Sequence, residues 1–158
     1  MTVAGKSGTV ARLELFTTSI DTPDKIRIII PNSAIFGSVI ENVGHHPVRR
    51  VAVDVGVDYS ADVDTTREVL EKAVASIENV EEDTAHAIVL VGLGASSVDW
   101  TVRVWAKGEN FWAVKEALTR AIKIELDEAG IGIPYQTVDV NLTGLAGNIG
   151  IERAAAAS

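Results

Sequence analysis

Hydrophobic and polar positions change rhythm along this chain, and the change falls near residue 46. Before it the runs are short and strand-like. Residues 10–16 alternate Leu13 and Leu15 against Arg12 and Glu14, which predicts a strand with one buried face. Asp21-Thr22-Pro23-Asp24 predicts a turn, because Pro presets φ and Asp bonds its own backbone. The β-branched run 26–30, broken only by Arg27, predicts a second strand that Pro31-Asn32 ends. Residues 32–37 fit one helical turn capped by Asn32 and closed by Gly37, ahead of another strand at 38–43. The N-terminal quarter therefore reads as a small β module.

After Gly44-His45-His46-Pro47 the elements lengthen. Residues 48–57 place Val51, Val53, Val55 and Val57 on one face and Arg50, Ala52 and Asp54 on the other. From 62 to 79 the set Val63, Val69, Leu70, Ala73, Val74 and Ile77 follows helical spacing, with Asp62 and Asp64 at the positive end of the helix dipole. Residues 87–93 form an apolar strand. Residues 97–107 alternate cleanly, with Val98, Trp100, Val102, Val104 and Ala106 sharing a face. Asn110 is placed to cap a second helix whose stripe includes Val114, Leu118, Ala121, Ile122 and Leu126, and Gly130 stands where a left-handed residue closes it. Pro134 stops any continuation, and 137–142 alternates Val138, Val140 and Leu142 with Asp139 and Asn141. The order from Val48 onward is β-α-β-β-α-β, the split, ferredoxin-like arrangement. Residues 143–158, rich in Gly and Ala, are expected to be frayed or to depend on a partner.

Composition narrows the roles open to such a fold. The 158 residues carry 14 Lys and Arg against 22 Asp and Glu, a formal charge of −8, which repels a phosphate backbone and argues against nucleic-acid binding. An RNA-binding sheet exposes aromatics beside cations, whereas Trp100 lies on the apolar face. Cysteine is absent, which removes disulfides, thiolate zinc sites and cysteine nucleophiles and fits a reducing setting. No apolar run approaches the ~20 residues a spanning helix needs, and residues 1–10 lack the apolar core of a signal peptide.

Candidate chemical sites are few. His45 and His46, adjacent on an extended segment, point to opposite faces, and His86 stands 40 positions further on, so they read as surface residues rather than metal ligands. Asp58, Asp62 and Asp64 miss the spacing of a calcium loop and read as an acidic helix start. Gly92-Leu93-Gly94 leads into a strand rather than a helix, so a tight turn with positive-φ glycines is expected in place of a phosphate loop. Ser96 and Ser97 have no local histidine, and no catalytic residue, metal or cofactor is expected. Trp100 and Trp105, five apart, fall on opposite faces of their strand. Trp100 belongs in the core, and Trp105 and Trp112 are candidates for a subunit interface. Pro47, Arg49 and Arg50 mark the junction between modules, where a hinge or interdomain ion pair and a ligand site are equal readings.

A resemblance adds to this reading. Gly8-Thr9-Val10, Leu15-Phe16-Thr17-Thr18, Ile30-Pro31-Asn32-Ser33, Ile40-Glu41-Asn42, Pro47-Val48-Arg49-Arg50, residues 55–60 (VGVDYS), residues 93–97 (LGASS), Arg103-Val104-Trp105 and residues 130–135 (GIGIPY) together resemble the cytosolic part of the small-conductance mechanosensitive channel family. The match runs in order from Gly8 to Asn141 and is specific in combination. It implies a homoheptameric channel, opened by membrane tension, that releases ions and small solutes during hypoosmotic shock. It also implies an α+β fold: a partial Sm-like β-domain (1–46), a ferredoxin-like domain (47–142) and a tail (143–158). Seven copies would enclose a hollow cytosolic cage with side portals beneath membrane-embedded pore helices, the full-length protein residing in the inner membrane.

In the family, both transmembrane helices and an initial β-domain strand precede the Gly-Thr-Val strand, where this chain has only 1–7. A truncated form or a natural cage-only relative is expected, one that does not conduct alone. No position corresponds to pore, gate or tension-sensing residues. Gln136 follows Tyr135 where the family tends to carry Pro. The competing reading is a free-standing soluble oligomeric binding module built on a ferredoxin-like sheet.

Overall fold

A computed structural model describes residues 1–81 and 83–138. Two units follow one another along the chain. The first holds six short strands, β1 (Thr2–Val3), β2 (Lys6–Ser7), β3 (Thr9–Leu13), β4 (Thr17–Asp21), β5 (Arg27–Pro31) and β6 (Ile40–Glu41), with helix α1 (Asn32–Phe36) between the last two. They form two three-stranded antiparallel sheets, ordered β2-β1-β6 and β3-β4-β5. The segment ahead of Gly8 thus contributes a hairpin, in which Val3 is fully buried. The buried core of this unit is three side chains, Val3, Ile20 and Ile30, with Met1, Ile28 and Ile35 packed around them.

Two expectations fail here for physical reasons. The strand expected to be half-buried is exposed throughout β3, with Leu13 at 74 % exposure, because no second layer among the described residues covers the sheet on that side. Asn32 does not cap α1. It is the first helical residue after Pro31, and its side chain instead donates to the carbonyls of Glu14 (2.9 Å) and Leu15 (3.0 Å) while accepting from the Thr18 hydroxyl at 2.8 Å. That side chain ties α1 to the bend between β3 and β4. Gly37 has φ −94° and needs no glycine freedom.

The second unit follows the expected order as far as its second helix. β7 (Val48–Val57), helix α2 (Val63–Ala75), β8 (Ala87–Leu93), β9 (Val98–Lys107) and helix α3 (Phe111–Glu128) build an antiparallel sheet ordered β7-β9-β8. β7 and β8 run the same way with β9 inserted between them, as the split arrangement requires. Both helices cover one face. Val98, Trp100, Val102, Val104 and Ala106 of β9 meet Leu70 and Ala73 of α2 and Val114, Leu118, Ile122 and Leu126 of α3 in a single core. Val63, expected in the α2 stripe, is exposed, and Thr66 takes the buried place with its hydroxyl bonded to the Asp62 carbonyl at 2.7 Å.

Helix ends are set locally. The Asp62 carboxylate accepts from the Thr65 amide at 2.8 Å and caps α2. α3 is entered through a 3₁₀ turn, Gly108–Asn110, so Asn110 is already near-helical and makes no side-chain cap, contrary to expectation. At its other end Gly130, φ +68°, closes a Schellman motif: Ile131 N–H donates to Leu126 O and Gly130 N–H to Asp127 O. Of the last expected strand, Thr137 and Val138 are not in a strand, while 139–142 and the tail 143–158 lie outside the described residues.

Candidate functional site

The junction named from the sequence is a packed corner. The Pro47 carbonyl accepts from the Gly108 amide at 3.0 Å, joining the entry of β7 to the exit of β9. The Arg49 guanidinium lies 4.1 Å above the Phe111 ring, clamping β7 to the start of α3. A groove of about 550 Å³ opens beside it, bordered by His46, Pro47, Arg49, Lys107 and Glu109. Arg50 is exposed on the opposite face of the strand, in register with Trp105. The two arginines therefore have different surroundings. His45 and His46 are exposed in the loop before β7, their rings edge-to-face at 4.8 Å, and His86 pairs with Glu71 at 2.6 Å, far from them in sequence and element. Among the described residues, no group of three or more His, Asp or Glu is arranged to hold a metal.

At the other end of the strands, three of the motifs quoted above come together. The Asp58 amide donates to the Gly132 carbonyl at 2.8 Å, the Tyr59 hydroxyl to the Gly94 carbonyl at 2.5 Å, and the Thr137 amide to the Ser96 hydroxyl at 3.1 Å. Ser97 donates to Asp99 at 2.7 Å. The expectation of positive-φ glycines in this turn is corrected. Gly92 marks a bulge in the pairing of β8 with β9, and Gly94 serves close approach, since a Cβ there would stand 2.8 Å from the Asp99 carboxylate and 3.2 Å from the Ser97 carbonyl. Asp58, which looked like part of an acidic helix start, instead closes a small turn: the Ser60 side chain and then its amide hold the Asp58 pKa below the ordinary value. The three bonds between motifs, Asp58 to Gly132, Tyr59 to Gly94 and Thr137 to Ser96, span 35 to 74 residues of sequence, which is why local pattern did not predict them.

The tryptophans divide as expected between core and surface. Trp100 is buried against α2, with the Arg67 guanidinium 5.2 Å from its ring centroid and bonded to the Ile88 carbonyl at 2.8 Å. Its indole N–H has no partner among the described residues. Trp105 is half-buried on the open face of the sheet, and Trp112 is 73 % exposed on α3.

The largest unsatisfied surface lies elsewhere. Leu13, Leu15, Phe16, Ile29, Phe36 and Val39 of the first unit are all more than half exposed, Phe36 at 96 %. Single exposed apolar residues are ordinary, but these belong to a unit whose buried apolar core is only three side chains. No helix among the described residues is long and apolar enough to cross a membrane.

Comparison with known proteins accounts for both units in order. Residues 1–45 match the model of the mechanosensitive ion channel β-domain, and residues 51–133 match that of the mechanosensitive ion channel MscS C-terminal domain. A small-conductance mechanosensitive channel of Edwardsiella ictaluri is 36 % identical over 140 residues, covering 89 % of this chain and 49 % of the relative. An uncharacterised MscS family protein of Synechocystis is 40 % identical over 141 residues, covering 89 % and 47 %. The closed-state crystal structure of Helicobacter pylori MscS superposes with a TM-score of 0.85 at 28 % identity, over 90 % of this chain and 57 % of that one. The chain spans about half the length of the curated relatives it matches. With its small β unit followed by the split α+β unit, each matched over its own stretch, this chain belongs to the MscS family of mechanosensitive ion channels.

Proposed function

We propose that this chain is the cytoplasmic cage portion of a tension-gated channel of the cell membrane, and that the channel protects against hypoosmotic shock by releasing ions and small solutes. In this reading the pore helices lie in the rest of the full-length protein, and seven copies of the chain assemble beneath the bilayer. Residues 1–46 form the β-domain, 47–142 the ferredoxin-like domain, and 143–158 an assembly-dependent tail. Pro47, Arg49 and Arg50 set the angle between the first two, and Trp105 lies against a neighbouring subunit. No catalysis and no cofactor enter into it.

The observation that carries the reading is the first unit's apolar surface. Three buried apolar side chains offset little of the conformational entropy of more than forty ordered residues, whereas Leu13, Leu15, Phe16 and Phe36 stand open to water. Copies of the same chain, arranged head to tail around an axis, would cover that surface and remove its strand edges together.

A hybrid channel tests the proposal. This chain replaces the matching half of the Edwardsiella ictaluri relative, and the hybrid is reconstituted in liposomes for patch recording. Opening under suction is the expected result. A hybrid that assembles in the bilayer and stays shut up to lytic tension refutes it.

A further inference from the structure

α3 presents two opposed surfaces. One buries Val114, Leu118, Ile122 and Leu126. The other carries Trp112, Lys115, Arg120 and Lys123, with the single carboxylate Glu116, around a shallow groove of about 820 Å³. Trp112 is held there, not loose: Phe111 meets its ring edge-to-face at 5.2 Å, and the Lys115 ammonium lies 5.6 Å from its centroid. Lys123 is paired with Asp127, while Lys115 and Arg120 have no carboxylate within ion-pair distance among the described residues. In a chain with a charge of −8, this face is a local reversal of sign centred on an exposed aromatic.

Its complement is written elsewhere in the same chain. Residues 78–83 read Glu-Asn-Val-Glu-Glu-Asp, four carboxylates in six positions, on the connection from α2 to β8. The connection is anchored by the Glu81 amide, which donates to the Trp105 carbonyl at 2.8 Å, and it turns at Asn79 with φ +63°. Glu78, Glu81 and Asp83 have no cationic partner among the described residues. Glu78 and Arg120 border one groove between the end of α2 and α3, yet they do not pair within the subunit. Both charges are left for another molecule.

We propose that Glu78 and Glu81, on the connection from α2 to β8 of one copy, dock on the Trp112–Lys115–Arg120 face of α3 in a second copy. This rests on the self-association proposed above and names one contact within it. Each copy carries both halves, so supply is always one to one, and the contact pairs unlike groups, acidic on one copy and basic on the other. Carboxylates meeting a guanidinium and an ammonium beside an indole gain charge-assisted hydrogen bonds while the aromatic is covered. An anionic lipid surface fits less well, because it would meet the same chain's surplus of carboxylates.

Sedimentation velocity on the full chain decides it, with four proteins compared: the unmodified chain, a face reversal (Lys115→Glu with Arg120→Glu), a connection reversal (Glu78→Lys with Glu81→Lys), and the chain carrying both. Each reversal alone should weaken association at least about tenfold, and the equimolar mixture or the combined chain should recover it. Arg120→Glu alone, at an exposed site, serves where the double change perturbs folding. Association indifferent to either reversal, or no recovery on combination, overturns the contact while leaving self-association standing. An unmodified chain that stays monomeric at high micromolar concentration overturns both. Binding of the unmodified chain to phosphatidylserine vesicles, lost on face reversal without any self-association, would assign the face to a membrane and overturn the contact.

Discussion

The two halves of the molecule solve the problem of burial differently. In residues 48–131 a ten-residue central strand, β9, places alternate side chains under two helices, and Trp100, Leu70, Leu118 and Leu126 vanish from solvent within one chain. In residues 1–46 the strands are five residues or shorter, six of them surround three buried side chains, and the large apolar residues face outward. The first kind of unit needs only itself. The second has a small core and a surface rich in exposed apolar side chains, which is what the self-association proposed above would cover. A channel cage built from such subunits would have rigid walls joined by a ring whose order depends on assembly.

The sharpest way to break that contrast is to remove one core side chain from each half. Leu118→Ala should destabilise the second unit by about 2–5 kcal/mol, because a fully buried leucine leaves a cavity that a helix packed on a sheet cannot close. Ile20→Ala, equally buried, should leave the main urea transition of the isolated chain almost where it was and raise amide exchange only in residues 2–41. Equal shifts of one shared transition would show that the halves fold as a single unit, and the contrast drawn above would fail.

How far the sequence foretold each half follows the same division. Strands β7 and β9 and helix α3 were legible because their apolar periodicity is satisfied inside the chain: Val51, Val53 and Val57 meet Val104, Val102 and Val98 in register. β4 went unread because its buried positions include Thr18 and Ser19, polar residues whose place depends on pairing with β3 and β5, and on Thr18 meeting Asn32 fourteen residues away. In β3 the alternation of Leu13 with Arg12 was real, but the apolar face it marks finds no cover within the subunit. A shift in composition draws attention to Pro47 and Arg49, whereas the Arg49 stack on Phe111 links positions 62 apart and leaves no local trace. The tether between Tyr59 and Gly94 is invisible for the same reason.

A smaller effect sharpens the boundary between the halves. Arg49→Ala removes the guanidinium from the Phe111 ring, a contact worth roughly 0.5–1 kcal/mol at a partly exposed site. Arg50→Ala, whose side chain is exposed opposite Trp105, should change stability less. Amide exchange at Gly108, bonded to Pro47, should rise in the Arg49 variant while the core of β9 stays protected. If the double variant instead shifts unfolding of the whole chain in one cooperative step, Arg49 belongs to the core of the second unit and the hinge assignment is wrong.

The smallest expected effect concerns acid, and it should touch only the self-sufficient half. Asp62 accepts from the Thr65 amide and hydroxyl at the start of α2, and these bonds, the amide first, hold its pKa below the ordinary 3.8 against a smaller desolvation effect. A carboxyl depressed in the folded state binds its proton more readily once unfolded. Its contribution is therefore complete above the unfolded value and is lost as pH falls through the lower folded one. Asp62→Asn keeps an oxygen acceptor for the Thr65 amide but has nothing to titrate. Its thermal midpoint should lie below that of the unmodified chain near neutral pH, where the charge also favours the helix dipole, and the two should converge in acid. A gap that stays constant down through this range would mean that the charge of Asp62 contributes nothing beyond its hydrogen bond, and that the acid sensitivity of the second unit resides in other carboxylates.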